Sequence, residues 1–513
     1  MIGLSARCRR GLAAALCLAN VATAQALLPS PLRAGEVTVK SFDGSVSVTG
    51  RFLGLRDGII RLDTAVGPLS IDAFLVSCSG ADCPPPEAMR PVLRIGATRE
   101  LAGSLVPALI AAYAEARGAT LEIEPLGPEE TRFTLRHDGA GRPFAVIRLG
   151  TDTATATPGD PSADAARISL TASPGDAAEG ARSLALDGLA VIVAPDNPVT
   201  SIPLARLADV FAGRIDNWAR LGGPDAPVNL YLDAAGGDIR RLFEARVMRR
   251  FGLQPGPEVN EIADAAELSD RVAADPFGIG VVDTAFLRNA RALALELGCG
   301  LAVEPDAFSI RAGDYPLTHA FWLRAGGKLG DPGRDLTGFM LSEAAQAVIA
   351  DAGFVDRGVA GLAIDRQGRR LANTLLSAGG RDTAQLRELV GIMRDASRLS
   401  LTFRRTAGGD GFDARARADI ALLARLMSEG ELKGRRLVLI GFTDAIGRDD
   451  LNRTLSRRWA AALRDAVIAA APPGTLDAGD FTVLGFGELS PLGCNEDAEG
   501  RRINRRVEVW LPG

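Results

Sequence analysis

Residues 187–223 read DGLAVIVAPDNPVTSIPLARLADVFAGRIDNWARLGG. The apolar run from Leu189 to Val193 is unbroken, as in a strand buried on both faces. Pro195, Asn197 and Pro198 make a turn, and Leu204, Leu207, Ala208 and Phe211 then recur at helical spacing. Asn217, Trp218 and the pair Gly222-Gly223 close the stretch. A buried strand feeding a helix is the repeating unit of an α/β sheet.

The chain has 513 residues, more than one core serves well, so about three domains are expected. With 47% hydrophobic and 24% charged residues it is ordinary globular protein, and wholesale disorder is excluded. A net charge of −5 argues against a protein built to hold nucleic acid. Arg7, Arg9 and Arg10, then the apolar Gly11 to Val21 and the small residues around Ala24 and Ala26, read as a secretory signal peptide over 1–26. A periplasmic protein associated with the cell wall or outer membrane is therefore expected. Leu16 before Cys17 speaks against a lipoprotein anchor, and no later stretch has the apolar length of a membrane helix.

In that oxidising compartment Cys78 and Cys83, close neighbours in CSGADC, are expected to form a disulfide. Cys299 and Cys494 stand alone in different expected domains and read as buried or free thiols, with a bridge between them left open. Neither a metal-ligand cluster nor a cofactor motif is offered.

Residues 36–84 alternate in short runs between the turn signals Asp43-Gly44 and Asp57-Gly58, and predict a small β-barrel-like domain. Val92 to Ile95 then leads through Gly96-Ala97-Thr98-Arg99 into a helix carrying Leu101, Leu105, Leu109 and Tyr113. Such a strand, small-residue turn and helix start cradle an anion, which makes Thr98 and Arg99 candidate ligand residues. His137 and His319 show no Ser or Cys partner at recognisable spacing, so an enzyme is not expected.

The sequence Val193-x-Pro-Asp-Asn-Pro198, followed by Phe211-x-Gly-x-Ile-x-Asn-Trp-x-x-Leu-Gly-Gly223, resembles the phosphate-type periplasmic substrate-binding proteins of ABC transporters. The resemblance extends over 91–357. It implies two lobes joined by a hinge, a phosphate-like small anion as ligand and an ABC permease as partner. It places Thr98 in the first ligand loop. In the second ligand segment, ARISLTASP (166–174), it puts Arg167 where the family has an acidic residue, and Thr171 keeps the hydroxyl. At the third loop Gly236 and Gly237 permit close backbone approach, while the family's hydroxyls are missing and Asp238 repels an anion unless Arg240 or Arg241 compensates.

Residues 358–396 read as a linker with one helix, opened by Asp382 and Gln385 as a capping box. Beyond it, GFTDAIG (441–447), Leu455-Ser456, Gly485-Phe486-Gly487 and GRRINRRVEV (500–509) closely resemble the OmpA-like peptidoglycan-binding domain. The resemblance covers 397–513 and implies a β-α-β-α-β fold binding the diaminopimelate of the peptide stem. By its motif the ligand residues are Thr443, Asp444, Asn452, Arg458 and Arg505, with Trp459 standing where the family has an arginine. On the shared stripe of Leu455 and Leu463, Trp459 reads as a packing residue. The expected architecture is thus multidomain α/β and α+β: a small N-terminal β domain, a two-lobed binding module and an OmpA-like domain. The expected function is non-enzymatic capture of a phosphate-like anion by a protein tethered to peptidoglycan. The alternative is an envelope structural or sensory protein whose module docks a protein or glycan and has lost phosphate binding.

Overall fold

The computed structural model describes residues 35–513 apart from 42–44, 57–58, 74–75, 86–88, 90–91, 138–142, 152–166, 173–179, 298, 327–328, 378–382, 406–410 and 413. The expected signal peptide, the two Asp-Gly turns and Asp382 fall outside the described residues. The chain divides into two compact units, one ending at Met89 and the other running from Arg90 to the C-terminus. Among the described residues no helix is long and apolar enough to cross a membrane.

The first unit is a five-stranded antiparallel sheet. Its hydrogen-bonded order is Gly67–Asp72, Ile59–Thr64, Ser47–Arg56, Glu36–Ser41, Val76–Ser79, a linear path where a barrel-like ring was expected. Alternation decides its inner face: Val37, Val39, Ile60 and Leu62 are buried, and their neighbours face outward. Cys78 and Cys83 are joined in a disulfide, as the spacing predicted.

The second unit contains a large mixed sheet. Val92–Ala97 pairs in parallel with both Arg167–Thr171 and Pro143–Gly150, and Asn229–Leu232 pairs in parallel with Gly278–Asp283. These two groups are joined by the long strand Arg182–Val193, buried from Leu184 onward. Its first half pairs antiparallel with Thr318–Gly326 and its second half with Gly278–Asp283, so one strand passes from lobe to lobe. The helix Leu204–Phe211 buries the predicted stripe of Leu204, Leu207, Ala208 and Phe211. Asn217 caps the following turn by accepting from Ala219 N at 2.8 Å, and the buried Trp218 indole donates to Phe277 O at 2.9 Å. The Asn-Trp pair is therefore structural.

Residues 358–396, expected as a linker with one helix, are integrated into the C-terminal fold. Gly361–Leu362 pairs with the strand Ala396–Arg404, and two helices follow, Gly368–Ser377 and Thr383–Asp395. Leu389 and Met393 of the second helix pack with Phe442, Phe486 and Trp510. The C-terminal sheet runs in the order Gly361–Leu362, Ala396–Arg404, Arg506–Pro512, Leu437–Phe442, Phe481–Gly485. The long helix Asp449–Ala470 lies against it so closely that a Cβ at Gly441 would sit 1.9 Å from the carbonyl oxygen of Ser456. That contact admits only glycine.

The C-terminal fold is docked firmly on the two-lobed module. Cys299 and Cys494, expected as buried or free thiols with a bridge left open, are joined in a disulfide across 195 residues of chain. Beside it Asp314 accepts from Arg398 at 2.5 Å and Arg404 at 3.2 Å, and Arg404 also donates to Ala312 O and Gly313 O. Glu508, fully buried, accepts from Arg370 at 2.8 Å and Arg506 at 2.7 Å. Burial opposes the charge of both carboxylates, but the surrounding arginines outweigh it and hold their pKa values below the ordinary range. Removing one partner of such a set strands the others without compensation. Asp314→Ala should cost about 3–5 kcal/mol in denaturant unfolding of the intact chain; an unchanged midpoint would contradict the role given to this carboxylate.

Candidate functional site

The parallel strands of the two lobes end at Ala97, Thr171 and Leu232, where the ligand loops of an open α/β sheet gather. Thr98 is buried, and its hydroxyl accepts from Leu101 N at 3.5 Å, so it caps the helix it precedes. Arg99 is exposed and lies 3.6 Å from Glu129. Arg167 is corrected by the strand register. It opens the strand that Thr171 closes, about 13 Å away, and it aligns with Arg94 and Arg148 along the sheet. Its side chain therefore lines a pocket with those arginines at the other end of the strand, away from Thr171.

At the third loop Gly236 adopts the left-handed conformation with φ +84°, and Gly237 opens the helix Asp238–Phe243. A Cβ at Gly237 would stand 1.9 Å from Asp233 Oδ2. The Asp233 carboxylate lies under the loop, accepting from Arg240 N at 3.4 Å and from the amide of Ile239. A helix-start amide expected to meet an anion is thus already engaged by a carboxyl group of the chain itself, whose pKa burial raises. Asp238, expected to repel a ligand, is paired with Arg241, and Arg240 is engaged with Glu244 and Glu261.

Behind these loops lies a group of buried acids that the motif reading did not select. Asp187 accepts from Gly188 N at 2.7 Å, Thr284 N at 2.9 Å, Ala285 N at 3.4 Å and the Thr284 hydroxyl. Asp283 lies 3.4 Å from His319 Nε2, and both residues are buried. Desolvation pushes Glu100 up to about 7, Asp187 to about 7 and Asp283 to about 8, with repulsion from Asp283 adding to the first two and from Asp233 to Glu100 and Asp283. Burial lowers His319 to about 4, so its ring is neutral near pH 7. The acids do not converge as a metal cage. Among the described residues the one set of three ligand atoms within 4.8 Å of one another is Cys299, Cys494 and Glu496, and those sulfurs are bonded to each other. Asp187 opens the stretch 187–223, but nothing local distinguishes a buried acid from a turn residue.

The second site lies at the end of the strand Leu437–Phe442. Asp444 Oδ2 accepts from Arg505 at 2.6 Å, its Oδ1 accepts from Ile446 N at 3.2 Å, and Asn452 Nδ2 donates to its carbonyl at 3.4 Å. Thr443 is tied through its amide to Gly487 O at 2.7 Å, and its buried hydroxyl has no hydrogen-bond partner among the described residues. Thr443, Asp444, Asn452 and Arg505 are thus brought together. Arg458 is not: it is exposed, about 9 Å farther along the helix than Asn452 and turned about 120° from it. Trp459 is buried with Leu399, Leu463 and Val467, the packing role its stripe suggested. The loop beside the site contributes Asn495, whose Oδ1 accepts from Ala445 N at 3.1 Å, one residue after the bridged Cys494.

The geometry defines a two-lobed module joined to a smaller α/β domain. Residues 93–336 match the family model described as a PBP superfamily domain, and the C-terminal region is homologous to OmpA-like proteins. The chain is 26% identical over 174 residues to the phosphate-binding protein PstS of Bacillus subtilis, covering 34% of this chain and 56% of that protein. It is 38% identical over 92 residues to outer membrane porin F of Pseudomonas aeruginosa, covering 18% of this chain and 25% of the porin. It is 32% identical over 74 residues to the peptidoglycan-binding protein ArfA of Mycobacterium tuberculosis, covering 14% of this chain and 22% of that protein. An ABC-type phosphate transport receptor from Vibrio cholerae superposes over 51% of this chain and 99% of its own, at 19% identity and a TM-score of 0.38. The chain thus spans about half the length of the phosphate-binding relative and a quarter of the porin.

The buried acids set a pH dependence. Glu100, Asp187 and Asp283 hold protons in the folded state that the unfolded chain releases near pH 4, so their contribution is complete below that pH and is lost as pH rises through about 7 to 8. His319 acts at the other end, its contribution being lost as pH falls from about 6.5 through about 4. The melting temperature should therefore fall between pH 6.5 and 9, and Asp283→Asn should flatten that decline. An equally steep decline in the variant would show that Asp283 is not among the titrating groups.

Proposed function

We propose that this chain is a non-enzymatic periplasmic envelope protein that grips peptidoglycan through its OmpA-like domain and holds a binding module rigidly at the wall. The observation that carries this reading is the Asp444 and Arg505 pair, 2.6 Å apart, with Asp444 buried and Arg505 partly exposed. A diaminopimelate residue offers an ammonium and a carboxylate on one carbon. It can exchange the internal ion pair for two, ammonium to Asp444 and carboxylate to Arg505 with the neighbouring amides. The peptidoglycan-binding function of the ArfA relative and the family motif around Asp444 support the same ligand.

A second reading, delivery of a phosphate-like anion to an ABC permease, is favoured by the likeness to the phosphate-binding protein. The chemistry of the cleft weighs against orthophosphate. Asp233 already accepts from the Arg240 amide at the third loop, and the hydroxyls that the family carries there are missing. A module that presents its surface to another envelope component fits these residues better than a phosphate receptor.

Asp444→Ala should abolish co-sedimentation with purified sacculi, and Arg505→Ala should weaken it ten- to hundredfold, the loss of about 1.5–3 kcal/mol of charge-assisted hydrogen bonding. Full retention by Asp444→Ala would remove the assignment. Adding inorganic phosphate should leave the melting temperature unchanged; a concentration-dependent rise would return weight to the receptor reading.

A further inference from the structure

A cavity of about 600 Å³ lies where the lobes and the C-terminal domain meet. Five arginines from five separate stretches line it: Arg182 on the lobe-crossing strand, Arg246, Arg311, Arg357, and Arg415 on the helix Ala414–Ser428. Thr98, Arg99, Gly236 and Gly237 are not among its lining residues, so it is distinct from the loops that hold the family's ligand.

The charges around it do not balance. Arg311 is paired with Asp356 at 2.5 Å, and Arg415 lies 3.6 Å from Asp419. Arg357 donates to Ser183 O at 3.0 Å, and Arg246 donates to Thr318 O; these are neutral acceptors. Among the described residues Arg182, Arg246 and Arg357 have no carboxylate within 4.0 Å, and Arg246 and Arg357 are partly buried. Desolvation lowers the pKa of both and outweighs the opposing attraction of Glu499 for Arg246 and of Asp419 for Arg357. The hydroxyl of Thr318, which also lines the cavity, is buried with no hydrogen-bond partner among the described residues. Leu186, Trp322 and Leu401 supply apolar wall.

We propose that this cavity binds an organic anion carrying two or more negative charges, a phosphate ester or a polycarboxylate. The volume is in the range of small-molecule sites, the apolar wall suits a carbon skeleton, and planar guanidinium forks suit carboxylate and phosphate oxygens alike. Because Arg415 comes from the C-terminal domain and the other four from the lobes, the site exists only in the docked molecule. Its ligand therefore bridges the binding module and the wall-binding domain.

Calorimetric titration of the full mature chain with citrate and with glucose 6-phosphate separates the two chemistries. At least one is expected to bind with unit stoichiometry and to weaken as salt is raised. Arg246→Gln and Arg357→Gln should each weaken binding at least tenfold, while Arg99→Gln and Asp444→Ala leave it unchanged. Arg182 is exposed, so Arg182→Gln keeps the test open if a buried variant fails to fold, and it should weaken binding severalfold. No heat with either probe overturns the proposal. So does binding that survives the Arg246, Arg357 and Arg182 variants but is lost in Arg99→Gln, which would place the anion in the interlobe cleft.

Discussion

Two buried carboxylates, Asp314 and Glu508, govern how this molecule is assembled. Arg370, Arg398, Arg404 and Arg506 surround them, and all four guanidinium groups are withdrawn from water. Burying that many charges is unfavourable unless each is met by hydrogen bonds and an opposite charge, so the network tolerates only one geometry. Asp314 belongs to the two-lobed module and Glu508 to the C-terminal sheet, with Arg398 within 4.0 Å of both. The docked arrangement is therefore a condition for satisfying either domain's interior.

That constraint changes what a hinge means here. A binding module of two lobes ordinarily closes by bending the strands that cross between them. In this chain the crossing strand is flanked by Arg357 bonded to Ser183 O, by the Leu186 and Val355 backbone pair, and by Tyr315 donating to Leu189 O at 2.7 Å. The C-terminal domain grips the segment that returns from the second lobe at Ala312 to Asp314, and the Cys299 and Cys494 bridge adds a second point of attachment. Asn495, next to Cys494, reaches the amide beside Asp444. The Asp444 site and the two-lobed module thus share a covalently tied loop.

The cleft and the interdomain cavity are lined by opposite kinds of titratable group. Acids gather behind the family's ligand loops, where an anion was expected, and arginines gather in the cavity beneath the C-terminal domain. At the third loop the Asp233 carboxyl group accepts from the Arg240 amide at 3.4 Å. The unbalanced cations stand at a junction that a free-standing receptor does not possess.

The sequence by itself determined the elements whose causes are local. The run Leu189 to Val193, the stripe through Phe211 and the Cys78 and Cys83 pair follow from periodicity and short spacing, and the OmpA-like motif pointed to Asp444 and Arg505 together. Tertiary structure decided whatever depends on residues far apart in the chain. Arg167 was misplaced because strand register, which set it beside Arg94 and Arg148, is not written in its own segment. The expected linker became part of a sheet because its partner strand begins only at Ala396. Cys299 and Cys494, 195 residues apart, meet only because the domains dock. The buried acids and the arginine-lined cavity belong to the same class: burial and charge balance are properties of an assembled interior, and no local pattern of residues specifies them.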